Sequence, residues 1–247
     1  MHKRTLTLGV GLAILAVCAP AAFAGNIYVT NTNDSGPGSL RNAIAGAASG
    51  DTIVFNPKAI RFPATITVAS PLMISQNLTI NGPGVSLLFI SGGHTVGVFY
   101  IRSAVVSIAG LTIQNGLAVG GGGVFNLGGT VTLSNMMLYR NSAFTGGGIL
   151  NDGTLTVTNS TLSLNEASAG GGITNYGTAI ISNSTLYSNA ADAGGGIFTE
   201  FQATLMVADS TLTYNAASGI GGGIYTNRAI ITLKNTIVAN SYLGGNC

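Results

Sequence analysis

The 247-residue chain is 46% hydrophobic and only 6% charged, with 37 glycines and a formal net charge of +2. A charged share so far below the roughly 25% of ordinary domains, joined to high hydrophobicity, excludes a disordered polyelectrolyte. The near-neutral balance excludes the basic footprint that nucleic-acid binding needs, so the surface must be built from Ser, Thr and Asn.

Residues 1–24 read as a signal peptide. Lys3 and Arg4 give a positive start, Leu6 to Val17 an apolar run, and Ala22-Phe23-Ala24 a small-residue cleavage site. The run is too short to span a bilayer and no later segment is long enough, so the expectation is export, to the cell surface or beyond, without a transmembrane span. Val17 before Cys18 is larger than the small residue that lipidation requires. Loss of Lys3 and Arg4 with the leader balances the remaining charge.

Residues 25–50 read as an N-terminal cap. Ile27-Tyr28-Val29 predicts a strand, Asn33 to Gly38 a turn, and Ser39 the N-cap of a short helix through Ala48 with Leu40, Ile44 and Ala47 on its inner face. Asp51-Thr52-Ile53-Val54-Phe55 then opens a body of repeats covering 51–247.

That body carries the strongest signal in the chain. A Gly-Gly-Gly triplet followed by Val or Ile ends at Gly123, Gly148, Gly172, Gly196 and Gly223, at intervals of 24–27 residues. The period is too short for a helix pair and suits one turn of a coiled β-ribbon. Within a repeat such as Thr154 to Asn175, Leu155 and Val157 alternate with Thr154, Thr156 and Thr158, the period of a strand with one buried face. Leu155 aligns with Val131, Ala179, Leu205 and Ile231, and Val157 with Leu133, Ile181, Val207 and Leu233. Leu138, Leu162, Leu186, Leu212 and Ile237 form a second inward set, and Val124, Ile149, Ile173, Ile197 and Ile224 a third. Three inward columns predict an all-β parallel β-helix, a single-stranded solenoid with three short strands per coil.

Asparagines recur with the same period. Asn115, Asn141, Asn165, Asn189, Asn215 and Asn240 are expected to form a structural ladder; Asn135, Asn159, Asn183 and Asp209 make a second set, and Asn126, Asn151 and Asn175 a third. Asn tolerates left-handed backbone, and stacked amides bond along an axis. The triplet glycines are expected to supply positive φ and close approach between coils.

The stretch Val29-Thr30-Asn31-Thr32-Asn33-Asp34-Ser35-Gly36-Pro37-Gly38-Ser39-Leu40-Arg41, with Asp51 to Phe55, Leu78 to Gly84 and the repeated Gly-Gly-Gly-Ile and Asn-Ser-Thr-Leu, resembles exported bacterial right-handed parallel β-helix repeat proteins. The glycine and asparagine pattern is also similar to chlamydial polymorphic outer membrane protein repeats. The resemblance covers the mature chain and implies a right-handed solenoid of adhesin or passenger type with no catalytic residues to carry over. It departs from the family in one respect: Cys247 falls in mid-coil, which predicts a chain truncated at its C-terminus and open to end-to-end self-association there. Cys247 reads either as half of an intermolecular pair or as an inert thiol.

Parallel β-helices also host polysaccharide lyases and hydrolases, which need clustered carboxylates. The best pair is Asp152 and Glu200, equivalent positions two coils apart with Tyr176 between them. Asp34, Asp51, Glu166, Asp192 and Asp209 fall in other columns, and Asn151-Asp152-Gly153 reads first as a turn carrying a solvated charge. His94 sits in Ser91-Gly92-Gly93-His94-Thr95 with no Cys or carboxylate motif beside it, a poor metal ligand or base. No metal site and no cofactor are expected. A threonine array at Thr130, Thr132, Thr154 and Thr156 suggests an ice-binding face, but Ile180, Met206 and Lys234 interrupt it. Tyr139, Tyr176, Tyr187, Phe198 and Tyr225 are positioned to contact a glycan or receptor if they point outward. The expectation is a surface scaffold acting in adhesion, with a carbohydrate-active enzyme as the alternative.

Overall fold

The computed structural model describes residues 24–247, so the leader reading for residues 1–23 lies outside it. Each strand pairing between named strands of the described residues is parallel. Parallel neighbours ordinarily need a long crossover helix. Here the chain travels around the coil itself and returns one strand spacing, about 4.8 Å, further along the axis. The result is a parallel β-solenoid of about nine turns, with a 14-stranded and an 8-stranded sheet as its main walls.

Register along the main wall follows the apolar columns. Val131, Leu155, Ala179, Leu205 and Ile231 are successive partners, as are Leu133, Val157, Ile181, Val207 and Leu233. Val124, Ile149, Ile173, Ile197 and Ile224 stack in the same way. The inner members are fully buried, and each Leu, Ile or Val so placed contributes about 1.5–3 kcal/mol relative to exposure. Two strands, Val124–Ser134 and Ile149–Thr158, run unbroken through positions that their neighbours divide into separate strands.

One column differs from the sequence alignment. Leu138, Leu162, Leu186 and Leu212 stack, but Leu212 pairs with Val238 while Ile237 pairs with Thr211 and lies 60% exposed. Ile237 and Val238 are both β-branched, so hydropathy alone could not choose between them, and a one-residue slip reverses the face.

Near the N-terminus, strand Asn26–Val29 pairs with Thr52–Phe55. The helix α1 (Leu40–Gly46) starts at Ser39, whose Oγ accepts from the Asn42 N–H at 3.2 Å. It buries Leu40, Ala43 and Ile44 and packs on strands Asn26–Val29 and Leu72–Ile74. Ala47 lies just past the helix end and packs partly buried against the same core. Arg41 ties this region to the body, pairing with Asp34 at 2.6 Å and donating to the carbonyls of Ser70 and Pro71.

Asp51 joins the first strand to the loop after α1, accepting from the N–H groups of Gly25 and Ala48, each at 2.8 Å. The Gly25 bond, then the Ala48 bond, hold its carboxyl below its ordinary range against the opposing effect of burial. A carboxyl with a lowered folded pKa contributes its full stability above the ordinary carboxylate range and loses it as pH falls through the folded value. Lowering the pH through that value is therefore expected to reduce the protection of the Ala48 amide, measured against its intrinsic exchange rate at each pH, before that of the coil amides, a step that Asp51→Ala removes.

At the far end the columns open to solvent. Ile230, Leu233 and Ile237 are exposed, and Ile220, Ile224, Tyr225, Ile231, Leu233 and Cys247 line a cavity of about 470 Å³. Partial burial there pushes the Cys247 thiol up from its ordinary pKa.

Candidate functional site

The repeated polar residues divide into internal ladders and outward corners. In the first ladder Asn141, Asn165, Asn189 and Asn215 are fully buried. Asn165 Oδ1 accepts from both the backbone N–H and the side-chain amide of Asn141, each at 3.0 Å. Asn165 Nδ2 in turn donates to Asn189 Oδ1 at 2.9 Å and to the Leu138 carbonyl at 3.1 Å. Asn189 repeats the arrangement with Asn215 and the Leu162 carbonyl. Burying an amide is costly unless its bonds are made, and this geometry makes them through the solenoid axis.

Asn115 and Asn240 do not belong to this ladder. The pairing of Gln114 with Tyr139 and of Thr213 with Ala239 sets Asn115 opposite Arg140 and Asn240 opposite Tyr214. Both take positive φ, 53° and 52°, at the outward corner one residue before the ladder. The ladder's flanking positions are Gly116, whose N–H donates to Asn141 Oδ1 at 2.9 Å, and Ser241, whose buried Oγ has no partner.

A second ladder links Asn126 to Asn151 at 2.7 Å and Asn151 to Asn175 at 2.8 Å. Its next position is Thr199, buried with an unpartnered Oγ1. A serine ladder was missed in the sequence: Ser160, Ser184 and Ser210 accept from the N–H of the matching residue one coil earlier at 3.0–3.2 Å and donate to the carbonyl two residues back at 2.7 Å. The recurring Asn-Ser-Thr-Leu was its signal.

The glycine triplets separate two roles. Positive φ falls on the first glycine, as at Gly146 and Gly170, and not on Gly123, Gly148, Gly172, Gly196 or Gly223. Those last glycines lie beneath the first ladder: a methyl on Gly148 would meet the Gly172 carbonyl oxygen at 2.5 Å and Asn165 Cγ at 3.3 Å. The period of glycine and that of asparagine are thus one packing requirement.

Asp152, Tyr176 and Glu200 do fall in one outward column. Glu200 accepts from Asn227 Nδ2 and from the Phe201 N–H, while Asp152 is exposed. Desolvation, then the charges of Glu200 and Asp152, raise the Tyr176 phenol from its ordinary pKa, so it stays neutral and able to donate a hydrogen bond. Among the described residues no cluster of three or more His, Cys, Asp or Glu forms a metal-donor set, and no helix is long and apolar enough to cross a membrane.

His94 has neighbours the sequence did not reveal. It is exposed at φ 58° and lines a depression of about 340 Å³ with Arg140, Ser142, Leu164 and Glu166, residues from separate coils. The threonine array is in register, Thr130 with Thr154 and Thr132 with Thr156, and continues into Thr178 and Thr204 in one column but into Ile180 and Met206 in the other. Tyr187 is exposed, and Tyr139, Phe198 and Tyr225 are half-buried. Phe198 and Tyr225 pack ring to ring at 5.2 Å, and the Arg140 guanidinium lies 5.0 Å from the Tyr139 ring. Comparison with protein-family models and with curated proteins gave no match.

Proposed function

We propose that the chain is an exported, non-catalytic β-helical scaffold that presents a rigid flank for contact with a cell surface or glycan. The observation that carries the reading is the consumption of the repeated polar groups by the ladders: Asn126, Asn141, Asn151, Asn165, Asn175, Asn189 and Asn215 are all fully buried and bonded along the axis. A polar interior spent on stiffness leaves the outward side chains to meet a partner. The leader pattern in residues 1–24 and the resemblance to polymorphic outer membrane protein repeats support export and surface display. A right-handed winding, the preferred hand of parallel connections, three strands per coil and a capping role for residues 25–50 belong to the same reading. So does end-to-end self-association across the apolar face at Ile231 and Leu233.

The enzyme alternative has one observation in its favour, the outward column that sets Tyr176 between Asp152 and Glu200. Incubation of the purified protein with plant and bacterial polysaccharides, with and without calcium, separates the two. The scaffold reading predicts no reducing ends and no unsaturated products. Turnover abolished by Asp152→Ala or Glu200→Ala would replace it with the enzyme.

A further inference from the structure

Besides the first glycine of each triplet, the repeat coils pass through left-handed backbone at two further corners, and these two are filled by different chemistry. At one corner the residues are Asn135, Asn159, Asn183, Asp209 and Asn235, with φ between 46° and 53°. These are the types that reach left-handed backbone at least cost. At the other corner the residues are Asn115, Arg140, Leu164, Ser188, Tyr214 and Asn240, with φ between 52° and 57°. Asn serves at both ends of that series, so Arg, Leu and Tyr are not demanded by the backbone, and a bulky left-handed residue costs about 1–3 kcal/mol. A stored cost of this kind points to a role for the side chain itself.

What the second corner displays is an aromatic diagonal beside shallow depressions. Tyr187, Tyr214 and Tyr242 come from three successive coils, with ring centroids 5.7 and 6.2 Å apart. They remain 44%, 43% and 64% exposed, so the cluster does not hide its faces. Tyr214, Asn240, Ser241 and Tyr242 line a depression of about 260 Å³, and the His94, Arg140 and Glu166 depression lies on the same corner further up the axis. The fully buried ladder Asn141, Asn165, Asn189 and Asn215 follows the corner residue directly in each coil and holds this surface rigid.

We infer that this corner binds a neutral linear glycan lying along the solenoid axis. The inference rests on the surface-contact reading above and names its ligand. Tyrosine rings offer apolar faces to the C–H faces of sugars while their hydroxyls, with the exposed Asn240 side chain, remain free for hydrogen bonds. The one Arg and one Glu offset each other, which favours an uncharged polymer over an acidic one. The rise per coil, about 4.8 Å, is close to the length of a pyranose residue, so successive sugars meet successive coils. Shallow open depressions whose lining mixes polar and apolar groups suit a sugar chain better than a protein segment, which needs a desolvated apolar centre.

The chain has no tryptophan and 8 tyrosines, so tyrosine fluorescence reports directly on ligand stacking. The test titrates the whole mature chain with cellohexaose, xylohexaose and the fully N-acetylated chitin hexasaccharide. Saturable binding of at least one is expected, weakened about tenfold or more in Tyr214→Asn. That variant installs the residue already used at positions 115 and 240, so its melting temperature should stay near that of the parent, separating binding from folding. Thr156→Ala, on another face, should bind as the parent does. Absence of binding to all three hexasaccharides, or full affinity in Tyr214→Asn, overturns the inference. Attachment to cells that survives Tyr214→Asn also overturns it, while leaving the scaffold reading in place.

Discussion

Gly171→Ala is expected to destabilise the solenoid by about 4 kcal/mol or more, among the largest effects available to a single methyl group. The added Cβ would meet the carbonyl oxygens of Ala190 and Gly195, the latter at 2.6 Å. Both obstacles are backbone of the next coil, so relief requires separating strands that are hydrogen-bonded on both sides. Gly46 supplies the control. It ends α1 with nothing within 4 Å of its ideal Cβ, so Gly46→Ala should be neutral or gain about 0.5–1 kcal/mol. Chemical denaturation of the two variants beside the parent reads the difference. Equal midpoints would mean that the coils do not lie as close as the glycine pattern requires.

Asn165→Ala is expected to cost about 3 kcal/mol or more. It removes the acceptor of the Asn141 N–H and amide, and the donor to Asn189 Oδ1 and the Leu138 carbonyl. Each buried group left unpaired costs about 1–3 kcal/mol, and in a linked ladder the loss is shared up and down the axis. Asn159→Ala, six residues earlier in the chain, should cost only about 1–2 kcal/mol, the cost of left-handed backbone to a residue without the short polar side chain that eases it. Asn159 is exposed at φ 49° and does nothing inside the solenoid. Two asparagines with the same period therefore differ in cost because one is a buried link and the other a corner. Similar losses in both variants would show that the amide ladder adds nothing beyond turn formation.

The solenoid itself was legible because one residue type recurs wherever one physical demand recurs. Leu155, Val157 and Ile149 declare their columns by alternation and period alone, and the structure stacks each with its expected partners. Legibility failed where two demands met at adjacent positions. Asn answers both the left-handed corner and the buried ladder, so Asn115 and Asn240 were aligned with Asn141 although Gly116 and Ser241 hold the ladder positions. A spacing of 24–27 residues tolerates that one-residue slip. The same ambiguity put Ile237 in a column that Val238 occupies. Gly-Gly-Gly marks a turn without saying which glycine takes positive φ. The depression shared by His94, Arg140 and Glu166 was hidden for another reason: its members come from different coils and share no motif.

Stacking of successive segments in register supports every functional statement above, and spin-label distances test it most directly. Val105, Thr130, Thr154, Thr178, Thr204 and Ile230 occupy one outward column in consecutive coils. With one label at Val105 and the other at Thr178, Thr204 or Ile230, the mean separation should grow in even steps, from roughly 14 to 19 to 24 Å, one strand spacing per coil. Distances that fail to increase evenly along the series would contradict the solenoid, and with it the ladders, the rigid corner and the proposed glycan track.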